Sequence, residues 1–431
     1  MKFYSVRSQR SICSFTVWYL VHLFSVSALG QNFQDSIQEK EVSAILRYLS
    51  SDELKGRGNF TPELAKAANF IANRFDQIGL QPLAGSPTFY QPFNAVDSKD
   101  IYRDRVKWNG KILDQSRFLY FTAELIPKTK SLNDFKIIEC DDGFSDSIIL
   151  AHWLDTTNTL IWSHAASSKQ AIAAENIQNH RSPPSESILF VSDVAYPRSL
   201  LISTNRAYSE NVLFNVIGAL PGKTKPNELV IFSAHYDHIG VSDVGICNGA
   251  NDDASGTTAL LTLAKYFALK NDNQRTILFC AFAGEELGAL GSSFLASVLN
   301  PIDVTAVINI EMIGKTNASG KKSFFVTGAR YSSLERILRT NLSSPVTIYP
   351  DPERNDLFER SDNYPFALKG IPAHSIMCSD DNDVCYHKTC DDFSAIDIKN
   401  MTTIIRAVGQ ASQSIIDGND TPSRIDMRRL K

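Results

Sequence analysis

Two uninterrupted apolar runs, each followed at once by polar residues, constrain the fold of this chain more than any other feature. The first run, residues 229–234, leads into His-Tyr-Asp-His at 235–238, and the second, residues 276–282, leads into Gly-Glu-Glu at 284–286. Runs of this length and β-branched content are typical of strands buried on both faces. Because open α/β sheets bind their ligands at the carboxyl ends of parallel strands, we expect these polar side chains to lie at one edge of a sheet.

Strand and helix patterns alternate along most of the chain. Further apolar strand patterns occur at 211–220, 304–310 and 371–377, and helical periodicity at 396–416. This alternation predicts an α/β fold with a mostly parallel central sheet and helices on both faces.

The middle of the chain has a different sequence pattern. Short strand-like pieces, separated by Asn, Asp, Ser and Pro, occur at 117–122, 147–151, 159–162 and 187–191. We therefore predict a catalytic domain formed by residues 31–90 and 207–431, with an inserted β-rich lobe of unknown role at 91–206.

The first 30 residues are typical of a secretory signal. Basic residues precede an apolar stretch at 15–24, and the small residues Ala28 and Gly30 precede Gln31. The alternative is an uncleaved membrane anchor, but the apolar stretch is short for a span, so we expect cleavage, no stable membrane span afterwards, and a periplasmic or extracellular protein. A formal net charge of -4 gives no indication of a nucleic-acid partner.

Five side chains form a set suited to a pair of metal ions: His235, Asp252, Glu286, Glu311 and His387. Two ions that share ligands need a bridging carboxylate, and each then needs a histidine and a further carboxylate. Imidazole and carboxylate ligands without thiolates suit zinc better than calcium or magnesium, so we expect two Zn²⁺, with Mn²⁺ or Co²⁺ as substitutes.

Two acidic residues near these candidate ligands are candidates for catalysis. Glu285 adjoins Glu286 at a strand-to-helix turn, where adjacent side chains point in different directions, so we predict that it is the general base. Asp237 follows His235 by two residues; if the strand continues, its carboxylate accepts the second N–H of the imidazole.

In the same order along the chain, five motifs resemble those of the secreted bacterial di-zinc aminopeptidase family, which belongs to a zinc exopeptidase superfamily that also contains glutamate carboxypeptidases and glutaminyl cyclases. They are His235-x-Asp237, the segments 251–256 (Asn-Asp-Asp-Ala-Ser-Gly), 284–286 (Gly-Glu-Glu) and 309–314 (Asn-Ile-Glu-Met-Ile-Gly), and Tyr386-His387. Segments 49–58 and 360–373 also resemble this family. The resemblance covers about residues 42–90 and 211–416 and leaves the middle unaccounted for.

The resemblance implies a role for each candidate. Asp252 is the position that bridges both ions, through a segment in which the 252–253 peptide is cis. His235 and Glu311 complete one site, although many family members have Asp at the position of Glu311. Glu286 and His387 complete the other site, and Glu285 is the position of the general base.

The resemblance also implies a disulfide between Cys385 and Cys390, which closes a small loop around His387, with Cys378 as a competing partner. Two further histidines, His238 and His374, are not needed to complete either metal site, and we interpret them as structural. Asp362 either supports the site or caps a helix.

The predicted reaction is hydrolysis of the N-terminal peptide bond of a peptide substrate. Water bound between two zinc ions gives its proton to Glu285, attacks the carbonyl, and the proton passes to the leaving amine. The alternatives are a glutaminyl cyclase, a carboxypeptidase with Arg354 or Arg360 as its carboxylate-binding residue, and a binding relative without metal.

Overall fold

The computed structural model describes residues 37–96, 102–114, 117–122, 129–140, 152, 156–164, 186–206, 210–316, 319–342, 345–352 and 355–430. The predicted signal segment 1–30, the predicted strand 147–151 and Arg354 lie outside the described residues. In the ranges given, no helix has both the length and the apolar character needed to cross a membrane.

Helices and strands alternate through most of the described chain. The α-helices are α1 (Glu39–Leu49), α2 (Pro62–Ile78), α3 (Ala254–Lys270), α4 (Leu290–Val298), α5 (Leu334–Asn341), α6 (Asn355–Glu359), α7 (Tyr364–Ala367) and α8 (Ile398–Ile416). The strands before residue 210 are β1 (Gln81–Pro82), β2 (Tyr90–Val96), β3 (Tyr102–Trp108), β4 (Lys111–Ile112), β5 (Phe118–Phe121), β6 (Thr129–Ser131), β7 (Lys136–Glu139), β8 (Thr159–Ser163), β9 (Ile188–Ser192) and β10 (Leu200–Arg206). The later strands are β11 (Glu210–Leu220), β12 (Lys225–His235), β13 (Gly240–Ser242), β14 (Gly245–Cys247), β15 (Arg275–Phe282), β16 (Val304–Glu311), β17 (Ser323–Val326), β18 (Thr347–Ile348) and β19 (Ala373–Met377).

A mixed sheet of nine strands organises the molecule. Its order is β1-β11-β15-β12-β16-β19-β17-β18, with β2 paired to β11. The four central strands, β15, β12, β16 and β19, are parallel, whereas β11 runs antiparallel to β15 and β17 runs antiparallel to β19. The predicted α/β fold with a parallel sheet centre is confirmed, and antiparallel strands flank that centre.

Both faces of the sheet are covered. Along β12, Val230 and Phe232 pack in one apolar cluster with α3, while Ile231 between them packs in a second cluster with α4 and α7. Alternate residues of a strand point to opposite faces, and β12 is apolar at all three positions because neither face meets water. The helices that cover the sheet therefore hold its central strands from two sides, and the carboxyl ends of those strands are fixed with them.

Between the N-terminal helices and β11 the described chain forms two smaller sheets. One has the order β4-β3-β10-β6 and the other β5-β9-β8-β7. Strand β2, which the sequence analysis placed at the start of the inserted lobe, instead pairs with β11 over residues 90–96 in the large sheet. The extent of the lobe as a separate domain stays a prediction.

Candidate metal centre

The sheet brings several of the predicted site residues to one edge. His235 is the last residue of β12 and Glu311 the last residue of β16. Glu285 and Glu286 follow the end of β15, whose Phe282 lies opposite His235 in the parallel register. These strands are parallel neighbours, so their carboxyl ends present these four acidic or basic groups side by side, as the strand patterns predicted.

The other two candidate ligands are on loops. Asp252 lies in the segment that leads into α3, next to a cis peptide bond between Asp252 and Asp253. His387 lies in the segment between β19 and α8, with a left-handed backbone (φ 56°). The cis bond is present where the resemblance implied it.

Asp252 lies between the two histidines. Its Oδ1 is 3.2 Å from His235 Nε2, and its Oδ2 is 3.3 Å from His387 Nε2. His387 Nε2 is also 3.2 Å from Glu286 Oε2. Each oxygen of one carboxylate thus faces a different imidazole, which is the arrangement that a bridging ligand requires.

These separations are compatible with ligands that share a zinc ion. Two donor atoms at 2.0–2.2 Å from one tetrahedral zinc ion lie about 3.3 to 3.6 Å apart. The three separations of 3.2–3.3 Å are close to that range, and both imidazole nitrogens are buried without a hydrogen-bond partner. Buried polar atoms normally have partners, and a cation would supply one to both nitrogens, so the residues present fit zinc.

An open cavity adjoins this cluster, and Asp252, Glu285 and Glu311 are among the residues that line it. Apolar side chains of Met312, Leu357 and Met377 form another part of its wall. A cavity that combines apolar side chains with convergent polar groups is a usual form of small-ligand site.

Glu285 has the environment of a proton acceptor. Its carboxylate lines the cavity, with Oε2 3.9 Å from His235 Nε2. Burial raises the pKa of Glu285 well above its usual value, and the nearby carboxylates of Glu311 and Glu286 act in the same direction. A raised pKa brings the carboxyl group closer to neutral pH, and a general base is most effective when its pKa lies near the operating pH.

Glu311 is held by neighbours as well as by its strand. Its Oε2 accepts a hydrogen bond from Asn309 Nδ2 at 3.3 Å and another from the Ser361 hydroxyl. Asn309 and Ser361 also contact Ser375, so the extra methylene of Glu311, relative to Asp, lies in a fixed polar network.

The carboxylate of Asp237 makes different contacts from the predicted one with the His235 imidazole. The strand ends at His235, and His235 Nδ1 lies 3.1 Å from the main-chain carbonyl of Asp237 but 3.7 Å from its carboxylate. That carboxylate instead accepts hydrogen bonds from the backbone N–H groups of Glu285 (3.2 Å) and Glu286 (3.3 Å), and from Asn59 Nδ2 (2.7 Å). Asp237 therefore fixes the backbone that carries both glutamates, and the imidazole tautomer is set by a carbonyl.

Arg57 anchors the Asp252 loop from the N-terminal side. Its fully buried guanidinium donates to the carbonyls of Asn248 (2.7 Å) and Gly249 (3.0 Å), and also to those of Tyr236 (2.8 Å) and Leu49 (2.6 Å). A buried cation with this many acceptors is the kind of buried charge that proteins tolerate.

Asp391 anchors the same loop from the other side. Its carboxylate accepts from the backbone N–H groups of Asn251 (3.0 Å) and Asp252 (3.1 Å), while its carbonyl accepts from Ala250 N at 3.0 Å. Since Asp391 lies four residues after His387, it joins the two loops that carry candidate ligands.

A disulfide joins Cys385 to Cys390 and closes a loop around His387, so this pairing is confirmed. The competing Cys378 is a buried free thiol, as are Cys247 and Cys280. Asp362 does not cap α7, whose first turn has no side-chain cap; it is fully buried, and burial raises its pKa to about 7.

His238 and His374, both interpreted as structural, differ in position. His374 Nδ1 lies 2.7 Å from the Thr327 carbonyl and Nε2 2.7 Å from the Ser332 hydroxyl, on β19 away from the cluster. His238 belongs to the cluster: with Asp252, Glu286 and His387 it forms a group whose ligand atoms lie within 4.8 Å of one another. The sequence contains a signal for the position of His238, since it lies only three residues after the candidate ligand His235.

Part of the chain that contains this site is similar to known proteins. Residues 215–412 match peptidase family M28. A probable zinc metalloprotease of Pyricularia oryzae is 39% identical over 111 residues, which are 24% of this chain and 22% of that protein. A probable leucine aminopeptidase 2 of Aspergillus fumigatus is 31% identical over 177 residues, which are 38% of this chain and 33% of that protein. These matches span about a quarter to a third of the curated relatives' own length.

A solved structure shares the fold. The aminopeptidase from Aneurinibacillus sp. strain AM-1 superposes with a TM-score of 0.58 at 16% sequence identity, over 93% of this chain and 98% of that one. The similarity therefore extends over nearly the whole length of both chains.

Proposed function

We propose that this chain, whose residues 215–412 match peptidase family M28, is a two-zinc aminopeptidase that releases N-terminal residues from peptides. The observation that carries the proposal is the position of Asp252, whose two oxygens face His235 and His387 at 3.2 and 3.3 Å. His235 and Glu311 would complete one metal site, and Glu286 and His387 the other.

Bound zinc would polarise the scissile carbonyl and make water a better nucleophile. The residues of the chain then supply orientation and proton transfer. Glu285, at the wall of the cavity, accepts the proton of the attacking water and delivers it to the leaving amine. Asp237 holds Glu285 through its backbone N–H at 3.2 Å, so the base is positioned from the main chain.

The free α-amine of the substrate distinguishes an aminopeptidase from an endopeptidase. Asp252, Glu285 and Glu311 line the cavity, so the α-amine of a bound peptide would lie beside the metals and these acidic groups. Its apolar wall would accept the side chain of the terminal residue.

Arg360, the candidate for a carboxypeptidase site, also lines this cavity. Its Nη1, however, lies 2.8 Å from Asp381 Oδ2, and its Nη2 lies 3.3 Å from the Tyr386 hydroxyl. A substrate carboxylate would compete with Asp381 for the same guanidinium, so the geometry favours recognition of an amine.

The test is a panel of aminoacyl chromogenic amides, each with a free and an acetylated amine, assayed before and after treatment with a chelator. We expect cleavage of the free-amine substrates alone, and loss of activity on removal of metal. Equal cleavage of blocked substrates, or full activity at less than about one zinc per chain, would contradict the proposal.

Glu285→Gln sharpens the same test. The amide keeps the size of the side chain but cannot accept the proton, so we expect kcat to fall by about 10² to 10⁴-fold while zinc content is retained. Glu139→Gln, an exposed position on β7, is the matched control and should leave kcat unchanged. An unchanged kcat in Glu285→Gln would remove Glu285 from the mechanism.

We further propose that the protein is exported. The disulfide between Cys385 and Cys390 supports this, because such bonds persist mainly in oxidising compartments. Fractionation of expressing cells that left the full-length chain in the cytosol would contradict export.

A further inference from the structure

The two oxygens of Glu286 face two different imidazoles. Oε2 lies 3.2 Å from His387 Nε2, and Oε1 lies 2.8 Å from His238 Nδ1. The His238 side chain is fully buried, and its ring lies at 76° to that of His387 with 5.6 Å between the ring centroids. The role of His238 follows from the difference between these two distances.

A separation of 2.8 Å is that of a direct hydrogen bond. Two ligands of one tetrahedral zinc ion lie about 3.3 to 3.6 Å apart, so an ion does not fit between His238 Nδ1 and Glu286 Oε1 in the way it fits between His387 and Glu286. The other carboxylate near His238 Nδ1, Asp252 Oδ2, is 3.8 Å away.

The direction of this hydrogen bond is fixed by its acceptor. A glutamate that binds zinc is ionised and can only accept, so Nδ1 of His238 carries the proton. Nε2 then has a lone pair, and it is buried without a hydrogen-bond partner. His238 differs here from His235 and His387, whose Nε2 atoms face carboxylates, because the carboxylate contacts of His238 are made by Nδ1.

The backbone around His238 leaves its ring little freedom. Its N–H donates to the Arg57 carbonyl at 3.2 Å. Gly249 (φ +55°) packs against the ring so closely that a Cβ at that position would lie 2.5 Å from Cδ2. The imidazole is therefore held in one orientation by the same segment that Arg57 anchors.

We propose that His238 is a positioning residue of the metal centre, which engages Oε1 of Glu286 and thereby leaves Oε2 as the single oxygen that binds the ion at the His387 site. This inference rests on the proposed function, since it requires that Glu286 and His387 bind metal. His238 adds to the five ligands a partner that orients one of them, and such partners typically contribute 10 to 100-fold in metal affinity.

Three substitutions separate a positioning role from a ligand role. In His238→Asn, the amide N–H lies near the place of Nδ1, so the hydrogen bond to Glu286 is retained; in His238→Gln, the amide lies near the place of Nε2, and the bond is lost. His238→Ala removes both. His374→Asn, a buried histidine with no contact to the cluster, is the matched control for the loss of a buried ring.

The measurement is titration of metal-free protein with zinc in a chelator-buffered solution, with the number of ions counted by mass spectrometry and the Co²⁺-substituted protein examined by visible absorption. We expect one of the two ions to bind 10 to 100-fold more weakly in His238→Ala and His238→Gln, and within a few-fold of wild type in His238→Asn and His374→Asn.

Each other outcome overturns the inference. Unchanged affinity in His238→Ala and His238→Gln would remove the positioning role. Equal losses in His238→Asn and His238→Ala, with a Co²⁺ spectrum that loses a nitrogen ligand, would make His238 a ligand. If His238→Ala fails to fold, the Asn and Gln variants decide, and equal affinities in those two contradict the proposal.

The same titration separates this inference from the proposed function. Wild-type protein that binds no zinc would contradict the two-zinc centre itself. Wild-type protein that binds two ions, with no change in any His238 variant, would contradict only the role of His238.

Discussion

The candidate ligands on strand ends and those on loops are held in place by different forces. His235 and Glu311 end β12 and β16, whose apolar residues pack on both faces of the sheet. Asp252 and His387 lie on loops that depend on Arg57, Asp391 and a disulfide.

This difference bears on how each half of the site fails. A strand end is positioned by many apolar contacts, so no single one is indispensable. A loop anchored by a few buried charged groups depends on each of them, because a buried partner left unsatisfied costs about 1 to 3 kcal/mol. Single substitutions at the loop anchors should therefore affect metal binding more than their distance from the metal suggests.

Arg57→Met should have the largest effect. It leaves four buried carbonyls without their donor, and we expect the free energy of unfolding of the metal-free protein to fall by about 3 to 5 kcal/mol, with loss of zinc. Urea unfolding and zinc content are the measurements. Arg339→Met removes a half-exposed arginine paired with Glu335 and should cost at most about 1 kcal/mol. Similar losses of unfolding free energy in both variants would contradict the view that the loops depend on single buried anchors.

Asp391→Ala should have the next largest effect. The backbone N–H groups of Asn251 and Asp252 lose their acceptor, and we expect a loss of about 3 kcal/mol in the free energy of unfolding and weaker zinc binding. Asp391→Asn keeps one acceptor oxygen and should recover part of both. Asp392→Ala, which removes the cap of an exposed 3₁₀ turn, is the control and should cost about 1 kcal/mol without changing zinc content. Zinc binding that is equal in Asp391→Ala and wild type would show that the loop holds its shape without this anchor.

The difference between strand ends and loops also explains which parts of the site can be predicted from the sequence. The strands that end in His235 and Glu311 were predicted within a few residues, because an uninterrupted apolar run is a local signal of a doubly buried strand. The candidate ligands on loops have no such signal: Asp252 and His387 were selected for the chemistry of the ligand set, and their separate roles depended on resemblance.

The anchors of those loops were not predicted. Arg57 and Asn248 are separated by 191 positions, and Asp391 and Asn251 by 140, so no local pattern contains either contact. Two side-chain roles were predicted differently for a similar reason: the contact of His235 with Asp237 assumed a strand that in fact ends at His235, and the contact of His238 with Glu286 joins residues 48 apart.

The disulfide should be the least costly of the three anchors to remove. Cys385 and Cys390 enclose four residues, and closing so short a loop restricts the unfolded chain by roughly 2 kcal/mol. In the double variant Cys385→Ser, Cys390→Ser we therefore expect at most about that loss in stability, together with about tenfold weaker binding of the ion at the His387 site, because Asp391 still holds the end of the loop. Cys140→Ser, at a half-buried cysteine outside this disulfide, is the control. A complete loss of metal in the double variant would mean that the covalent bond, and not the buried charges, positions His387, and the order of the three anchors would then be reversed.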